Sequence, residues 1–224
     1  MPMEQTVKPF ETFFPGNHLV VGEAGSGKTR LIWSLLQERD YIEDNSINIV
    51  LTDSEKRIWS KPKNNPILTL NPFDTNITWA TNPQIPGIYY CACEYAPRII
   101  TFLECLATWA IQNENTANKK LRIFVDFPSK YWSLPEFVEQ LIRLHYIIDG
   151  RNTADDSIEI WSVLGSLKKL ASKAKPLFQN SNLVLLNPFP TEWSSSISEL
   201  LNLNSEESAL IAQIDHTLAD GFYY

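Results

Sequence analysis

The sequence contains little cysteine and little glycine, and it has no long apolar run. Its 224 residues include only 3 cysteines and 8 glycines. The odd number of cysteines excludes a fully paired disulfide framework and indicates a reducing compartment. No apolar stretch approaches the roughly 18 residues of a membrane-spanning helix, and residues 1–11 lack the basic start and apolar core of a secretory signal. We therefore expect a cytoplasmic protein.

Positive charge is also scarce. The chain has 19 lysines and arginines against 26 aspartates and glutamates, which gives a formal net charge of −7. This balance argues against a simple DNA-binding module, but it leaves open a ring whose basic residues gather at a central pore. The best candidate basic stripe lies on a predicted helix over residues 166–178 and consists of Lys168, Lys169, Lys173 and Lys175. The candidate aromatic contacts for a partner or a nucleic acid are Trp59, Trp79 and Trp132.

Cys91 and Cys93 are separated by a single residue, and two interpretations stay open for them. A metal site would need a second pair of ligands and a wider spacing than this one. The other interpretation is that both are small apolar side chains in or beside a strand.

Strand-like and helix-like segments alternate along most of the chain. Short apolar runs predict strands at residues 18–21, 47–52, 67–70, 87–91, 121–125, 158–164 and 183–186, and the aromatic end 222–224 is a further candidate. Helical spacing predicts helices at residues 29–38, 97–112, 134–148, 166–178 and 205–218. The alternation predicts an α/β fold with a mainly parallel central sheet and helices on both faces. We expect an irregular lead-in over residues 1–16 and a single domain over residues 17–224.

The segment between the first predicted strand and the first predicted helix fits the pattern G-x-x-x-x-G-K-[ST], which defines a P-loop. Its residues are Gly22, Glu23, Ala24, Gly25, Ser26, Gly27, Lys28 and Thr29. The glycines let backbone N–H groups point at phosphate oxygens, and the following helix directs its positive end at the same anion. Lys28 can reach the β- and γ-phosphates, and the Thr29 hydroxyl can bind Mg²⁺. The sequence therefore predicts a site for a nucleoside triphosphate.

An acidic residue is predicted to complete the metal site. The strand over residues 121–125 is followed by Asp126, and an acid at the end of a neighbouring strand can hold Mg²⁺ through a water beside Thr29. The alternative is an aspartate that only caps a turn. The next residue is Phe127, whose ring cannot accept a proton, so another residue must orient the attacking water or turnover is slow. The candidates for that role are Glu23, Asp53, Glu55 and Glu94.

In their order along the chain, these features resemble the FtsK/HerA superfamily, which includes DNA translocases, conjugation ATPases and viral genome-packaging ATPases. The resemblance covers roughly residues 16–224, and only the P-loop is specific by itself. The other segments that carry it are the strand and acidic end at 47–55, Asp126, the Gly150-Arg151 pair, the sensor-like strand 158–164 and the closing segment 201–224.

The resemblance implies ATP and Mg²⁺ as ligands, a homo-oligomeric ring, with six subunits as the first expectation, and DNA as a candidate partner. It implies that Arg151 acts as an arginine finger on a neighbouring subunit. A solvated arginine in a loop is the alternative, and Arg143 is the second choice for the finger. The chain departs from the superfamily at Phe127, where a glutamate is expected, and at Gly165, where a polar sensor residue is expected.

Three functions follow from these expectations. The first is an ATPase motor subunit that moves or packages DNA. The second is a subunit that binds ATP with little or no hydrolysis and acts as a switch, because both departures fall on the groups that would act on the γ-phosphate and water. The third is a small-molecule kinase, which would need an arginine-rich lid that the sequence does not offer.

Overall fold

Eight strands form one sheet in the part of the chain that the structure describes. The structure is a computed structural model, and it describes residues 16–37, 46–54, 67–69, 87–112, 120–149, 158–167, 170–179, 181–186, 192–213 and 221–223. The strands are β1 (His18–Val21), β2 (Ser46–Thr52), β3 (Ile67–Thr69), β4 (Gly87–Ala92), β5 (Lys120–Asp126), β6 (Ile158–Leu164), β7 (Asn182–Leu186) and β8 (Gly221–Tyr223).

Seven helices accompany the sheet within the described residues. They are α1 (Lys28–Gln37), α2 (Ala96–Gln112), α3 (Ser129–Trp132), α4 (Pro135–Asp149), α5 (Lys175–Phe178), α6 (Trp193–Leu201) and α7 (Ser205–Gln213), and a 3₁₀ turn at Ser172–Ala174 precedes α5. None of these helices is both long enough and apolar enough to cross a membrane.

The strands lie in the order β3, β4, β2, β5, β6, β1, β7, β8. The pairs from β3 to β7 are parallel, and β8 is antiparallel to β7. The predicted fold class, a mainly parallel sheet, is therefore confirmed. One expectation is corrected, because β5 is not the immediate neighbour of β1: β6 lies between them and pairs with both.

Helices cover both faces of the sheet, as predicted. Along each strand, successive side chains point to opposite faces, so β1 contributes Leu19 and Val21 to one apolar cluster and Val20 to the other. The larger cluster includes buried residues of α2, α4 and α6. The smaller cluster is completed by α1 through Ile32, Trp33, Leu35 and Leu36. Both faces of β2 are covered, and all seven of its residues are buried.

Three helical segments differ from the prediction, and one of them is the short helix α3, which was not predicted. Residues 170 and 171 are not helical, so the predicted helix over 166–178 is reduced to the 3₁₀ turn and α5. The physical reason is local, because Pro176 fits a helix only in its first turn and lies at the start of α5. The helix α6 was not predicted, since its sequence contains three consecutive serines, which are weak helix formers.

The expected basic stripe is not one helix face. Lys168 and Lys169 lie outside the described residues. Lys173 belongs to the 3₁₀ turn and contacts Glu139 at 3.7 Å, whereas Lys175 begins α5 and contacts Glu199 at 3.9 Å. With acidic partners beside both lysines, this segment offers less positive charge than the sequence suggested.

The expectation that Trp132 is an exposed contact residue is wrong. Its side chain is fully buried, and its indole Nε1 donates a hydrogen bond to the Phe127 carbonyl oxygen at 3.1 Å. The apparent loop context is the single-turn helix α3, which the core covers. The other two candidate tryptophans, Trp59 and Trp79, lie outside the described residues, as does the predicted lead-in up to residue 15.

Candidate functional site

The P-loop connects the end of β1 to the start of α1, and its backbone has the conformation that the sequence pattern requires. Gly25 and Gly27 have φ angles of +86° and +90°, in the left-handed region that residues with a side chain rarely adopt. The Leu31 amide already donates to the Gly27 carbonyl at 2.8 Å. The amides at the first turn of α1 thus form the positive end of a ten-residue helix.

Lys28 lies back across the loop that precedes it. Its Nζ donates hydrogen bonds to the Gly22 carbonyl at 2.6 Å and to the Glu23 carbonyl, and it lies 3.3 Å from Ser26 Oγ. These contacts hold the ammonium group at the loop in a defined position. A bound anion would meet a cation that the protein has already oriented.

The structure brings Thr29 and Asp126 together, although they are 97 positions apart in the sequence. Thr29 Oγ1 donates a hydrogen bond to Asp126 Oδ2 at 2.6 Å. Asp126 is buried, and it reaches Thr29 across the end of the intervening strand β6. A hydroxyl and a carboxylate are oxygen ligands of the kind that Mg²⁺ takes, usually with several waters retained. The two residues therefore fit the predicted metal site.

A cavity of 520 Å³ opens beside these residues. That volume lies within the roughly 300–1,000 Å³ of typical small-molecule sites. Three segments line the cavity: the P-loop and the start of α1 with Ala24, Gly25 and residues 27–30, then residues 126–129, and the end of β6 with Val163 and Gly165. The sequence motifs do not include Arg30 and Ser129, although Arg30 directly follows Thr29 and Ser129 comes three residues after Asp126, which could have indicated that both border the site.

Phe127 belongs to the core even though it also borders the cavity. Its ring is 2% exposed. The ring centroid lies 4.7 Å from that of Tyr131 and 5.4 Å from that of Phe137, within the range of favourable aromatic pairs. The position where the superfamily is expected to place a glutamate is thus part of an apolar aromatic cluster in this chain.

No candidate for orienting water is among the described residues that line the cavity. Glu23 and Glu94 are exposed, and Glu55 lies outside the described residues. Asp53 directly follows β2, whose last residue, Thr52, pairs with Asp126 of β5. Burial, followed by the negative charge of Asp53, raises the pKa of Tyr131 to about 12. The Tyr131 hydroxyl donates to the Glu94 carbonyl at 2.7 Å, which places these acids near Tyr131, beyond β5 from the P-loop.

Gly165 lies where a longer side chain would face the lysine of the loop. A Cβ at this position would have Lys28 Cε as its nearest neighbour, at 4.0 Å, which is ordinary contact. A Cβ at Gly22 would instead meet Ser26 Oγ and the Leu186 carbonyl oxygen, the latter at 2.7 Å. The two glycines therefore differ in what they tolerate.

Gly22→Ala is expected to destabilise the protein, whereas Gly165→Ala is expected to leave its stability nearly unchanged. Overpacking of this kind costs about 1–3 kcal/mol, which corresponds to a fall of roughly 2–12 °C in Tm for a chain of this size. Thermal unfolding of both variants beside the wild type measures the difference. A Gly22→Ala protein with the same Tm as the wild type would contradict the described loop geometry.

The structure describes only one of the two candidate arginine fingers. Arg151 lies outside the described residues, so its role stays a prediction. Arg143 is an exposed residue of α4 and lies beside Glu139 and Tyr146 in a shallow surface cavity. It does not line the cavity at the P-loop.

The cysteines give no support to a metal site. Cys91 and Cys93 are both buried in the larger apolar cluster. Burial, with a smaller effect of Cys93, raises the pKa of the Cys91 thiol to about 12, which disfavours the thiolate that would bind metal. No group of three or more histidine, cysteine or acidic side chains suited to a metal occurs within the described ranges. The packing interpretation of these cysteines therefore fits the structure better.

Comparison of the whole chain with known proteins identifies related folds. No protein-family model and no curated protein sequence matches this chain. Among solved structures, the genome-packaging NTPase B204 from Sulfolobus turreted icosahedral virus 2 matches in complex with ATPγS, with a TM-score of 0.53 and 11% identity over 90% of this chain and 88% of that chain. Its sulfate complex matches with a TM-score of 0.52 and 10% identity over 91% and 89% of the two chains.

A third solved structure matches less well. It is the monomer form of the pCW3 conjugation coupling protein TcpA with ATPγS, with a TM-score of 0.44 and 12% identity over 86% of this chain and 53% of that chain. The two matches to the packaging NTPase span nearly the full length of both chains. The chain therefore has a P-loop NTPase fold, which it shares with a viral genome-packaging NTPase.

Proposed function

We propose that this protein binds Mg-ATP at residues 22–29 and acts as an ATPase subunit of a machine that packages or translocates DNA. The observation that carries the proposal is the 2.6 Å hydrogen bond between Thr29 and Asp126. This bond joins the P-loop to the acidic strand end, and both residues line a cavity of suitable size. The fold shared with a genome-packaging NTPase that was solved with ATPγS supports the same proposal.

Each residue of the site has a distinct part in this proposal. The loop amides and Lys28 bind the β- and γ-phosphates, because their N–H groups and the ammonium charge complement phosphate oxygens. Thr29 and Asp126 hold Mg²⁺, with Asp126 acting through a water. When bound, the metal neutralises charge on the phosphate oxygens. The loop backbone, fixed by Gly25 and Gly27, sets the position of these groups before the nucleotide arrives.

The assay that tests the proposal measures phosphate release by the purified protein with Mg-ATP, with and without double-stranded DNA. The proposal predicts hydrolysis that requires Mg²⁺ and increases when DNA is added. An Asp126→Asn variant is the matched control, since it keeps the size of the side chain and removes its charge. ATP binding without any hydrolysis would reject the motor, and no ATP binding would reject the site.

A second function, a nucleotide-dependent switch, is favoured by the burial of Phe127. The residue after Asp126 is a phenylalanine whose ring packs inside an aromatic cluster. A phenyl ring has no basic atom, so this residue cannot take a proton from water. In this case the protein binds ATP tightly, changes its assembly state, and releases no phosphate above background. Sedimentation of the protein with ATP, with ADP and without nucleotide distinguishes the switch from the motor when it is combined with the phosphate-release assay.

We further propose a homo-oligomeric ring in which Arg151 contacts the nucleotide of a neighbouring subunit. Arg151→Ala is then expected to lower the hydrolysis rate by about 10³-fold or more, as for other arginine fingers, while the affinity for ATP stays unchanged. Rate and affinity measured on the same preparation provide the test. If Arg143→Ala has this effect and Arg151→Ala does not, the finger is Arg143, which is exposed on α4.

A further inference from the structure

Thr52 is a buried threonine at the end of β2, directly beside the acidic residue of the site. In the register of β2 with β5, Thr52 is the partner of Asp126. Two residues earlier on each strand, Val50 and Phe124 lie in the apolar cluster that α1 covers. Because side chains two positions apart on a strand point to the same face, Thr52 and Asp126 both face α1. Thr29 of α1 reaches Asp126 from that side.

The Thr52 hydroxyl has no hydrogen-bond partner among the described residues. The residue is 1% exposed, and its Oγ1 is a buried oxygen left unpaired. Its backbone is well held, since the Thr52 carbonyl accepts a hydrogen bond from the Cys93 amide at 2.9 Å. On the adjacent strand, the Tyr90 hydroxyl does find an acceptor, the Ser54 carbonyl at 2.8 Å.

An unpaired buried hydroxyl destabilises a protein relative to an apolar group of the same shape. Valine has nearly the same shape as threonine and would fill this place at a strand end without an unpaired oxygen. The fold alone therefore gives no reason for the hydroxyl. A polar group that binds next to the Asp126 carboxylate would give the hydroxyl a hydrogen-bond partner, and so a reason to be there.

We infer that Thr52 is a positioning residue for the metal, and that its hydroxyl hydrogen-bonds a water in the Mg²⁺ shell that Asp126 also binds. This inference rests on the proposed Mg-ATP site. Mg²⁺ in proteins usually keeps several waters, and groups that orient such ligands typically change metal affinity by about 10- to 100-fold. Thr52 acts through water, so the direct protein contacts to the nucleotide do not depend on it.

The test compares Thr52→Val, which removes the hydroxyl, with Thr52→Ser, which keeps it. For the full chain, the affinity for a fluorescent ATP analogue is measured across a Mg²⁺ titration and in EDTA, and Tm is measured without nucleotide. For Thr52→Val we expect the Mg²⁺ concentration at half-maximal effect to rise by about tenfold or more. Affinity in EDTA stays at the wild-type value, and Tm stays equal or rises. Thr52→Ser follows the wild type in its Mg²⁺ dependence.

Several outcomes would overturn the inference. Wild-type Mg²⁺ dependence in Thr52→Val would show that the hydroxyl does not serve the metal. A lower Tm in Thr52→Val without nucleotide would show that the hydroxyl has a structural partner instead. If the wild type binds the analogue, either result rejects the proposed role of Thr52 and leaves the proposed nucleotide site standing. If the wild type binds no analogue, the proposed nucleotide site fails, and the role of Thr52 fails with it.

Discussion

Lys28→Ala is expected to weaken ATP binding by about 10- to 100-fold, because a hydrogen bond to a charged group contributes about 1.5–3 kcal/mol. Lys28 is oriented at the loop by the carbonyls of Gly22 and Glu23, so its charge is in place before the phosphates bind. Equilibrium titration with a fluorescent ATP analogue measures the loss.

The matched control for this substitution is Lys173→Ala. Lys173 is an exposed lysine that contacts Glu139 and is not among the residues lining the cavity at the P-loop. The two variants remove the same charge, so a general electrostatic effect would weaken binding in both. Wild-type affinity in Lys28→Ala would show that the nucleotide does not bind at the P-loop.

Phe127→Glu is expected to destabilise the fold and not to create a catalytic base. The ring is 2% exposed and contacts Tyr131 and Phe137. Loss of a buried phenylalanine side chain costs about 3–5 kcal/mol, and a buried carboxylate without a partner adds to that cost. For a chain of this size the fall in Tm is roughly 6–20 °C. Thermal unfolding followed by circular dichroism measures it.

Phe127→Leu is the control, since it keeps an apolar side chain in the core and is expected to cost less stability than Phe127→Glu. A Phe127→Glu protein with the same Tm as the wild type would show that the side chain at this position faces the nucleotide and not the core. A gain in ATP hydrolysis by that folded variant would also show that the missing glutamate limits turnover. Both results would contradict the packing described around Phe127.

The features of the site that the sequence predicted are those encoded locally. The P-loop pattern contains its own glycines, lysine and threonine in consecutive positions, so its place between β1 and α1 follows from eight residues. The position of Asp126 at a strand end was also predictable, because a β-branched and apolar run stops there. The contact between Thr29 and Asp126 followed from the rule that parallel strands end at one edge of the sheet.

The order of the strands was not predictable in the same way. Placing β6 between β1 and β5 depends on how segments more than 30 residues apart pack together, and hydrophobic periodicity has no information on which strands are neighbours. The same reason explains why Thr52 was missed. A threonine at the end of a β-branched run is typical of a strand, and only its register with Asp126 places its hydroxyl next to the site.

The burial of Trp132 was predicted wrongly, because its neighbours in the sequence are polar. Trp132 is surrounded by serine, lysine and proline in the sequence, yet its indole is fully buried and bonded to the Phe127 carbonyl. Helix α3 has only four residues, too few for helical periodicity to show which side faces inward. The sequence marks Phe127 as a departure from the superfamily that it resembles, but the role of Phe127 in packing needed the positions of Tyr131 and Phe137.

The most direct test of the central claim is the affinity of the wild-type protein for an ATP analogue with Mg²⁺ and with EDTA, beside Asp126→Asn. The claim is that the P-loop and Asp126 together form one site for a metal-bound nucleotide. It predicts saturable binding that is tighter with Mg²⁺ than with EDTA, and it predicts that Asp126→Asn abolishes this difference without abolishing binding. No saturable binding, or binding by the wild type that does not respond to Mg²⁺, would contradict the claim.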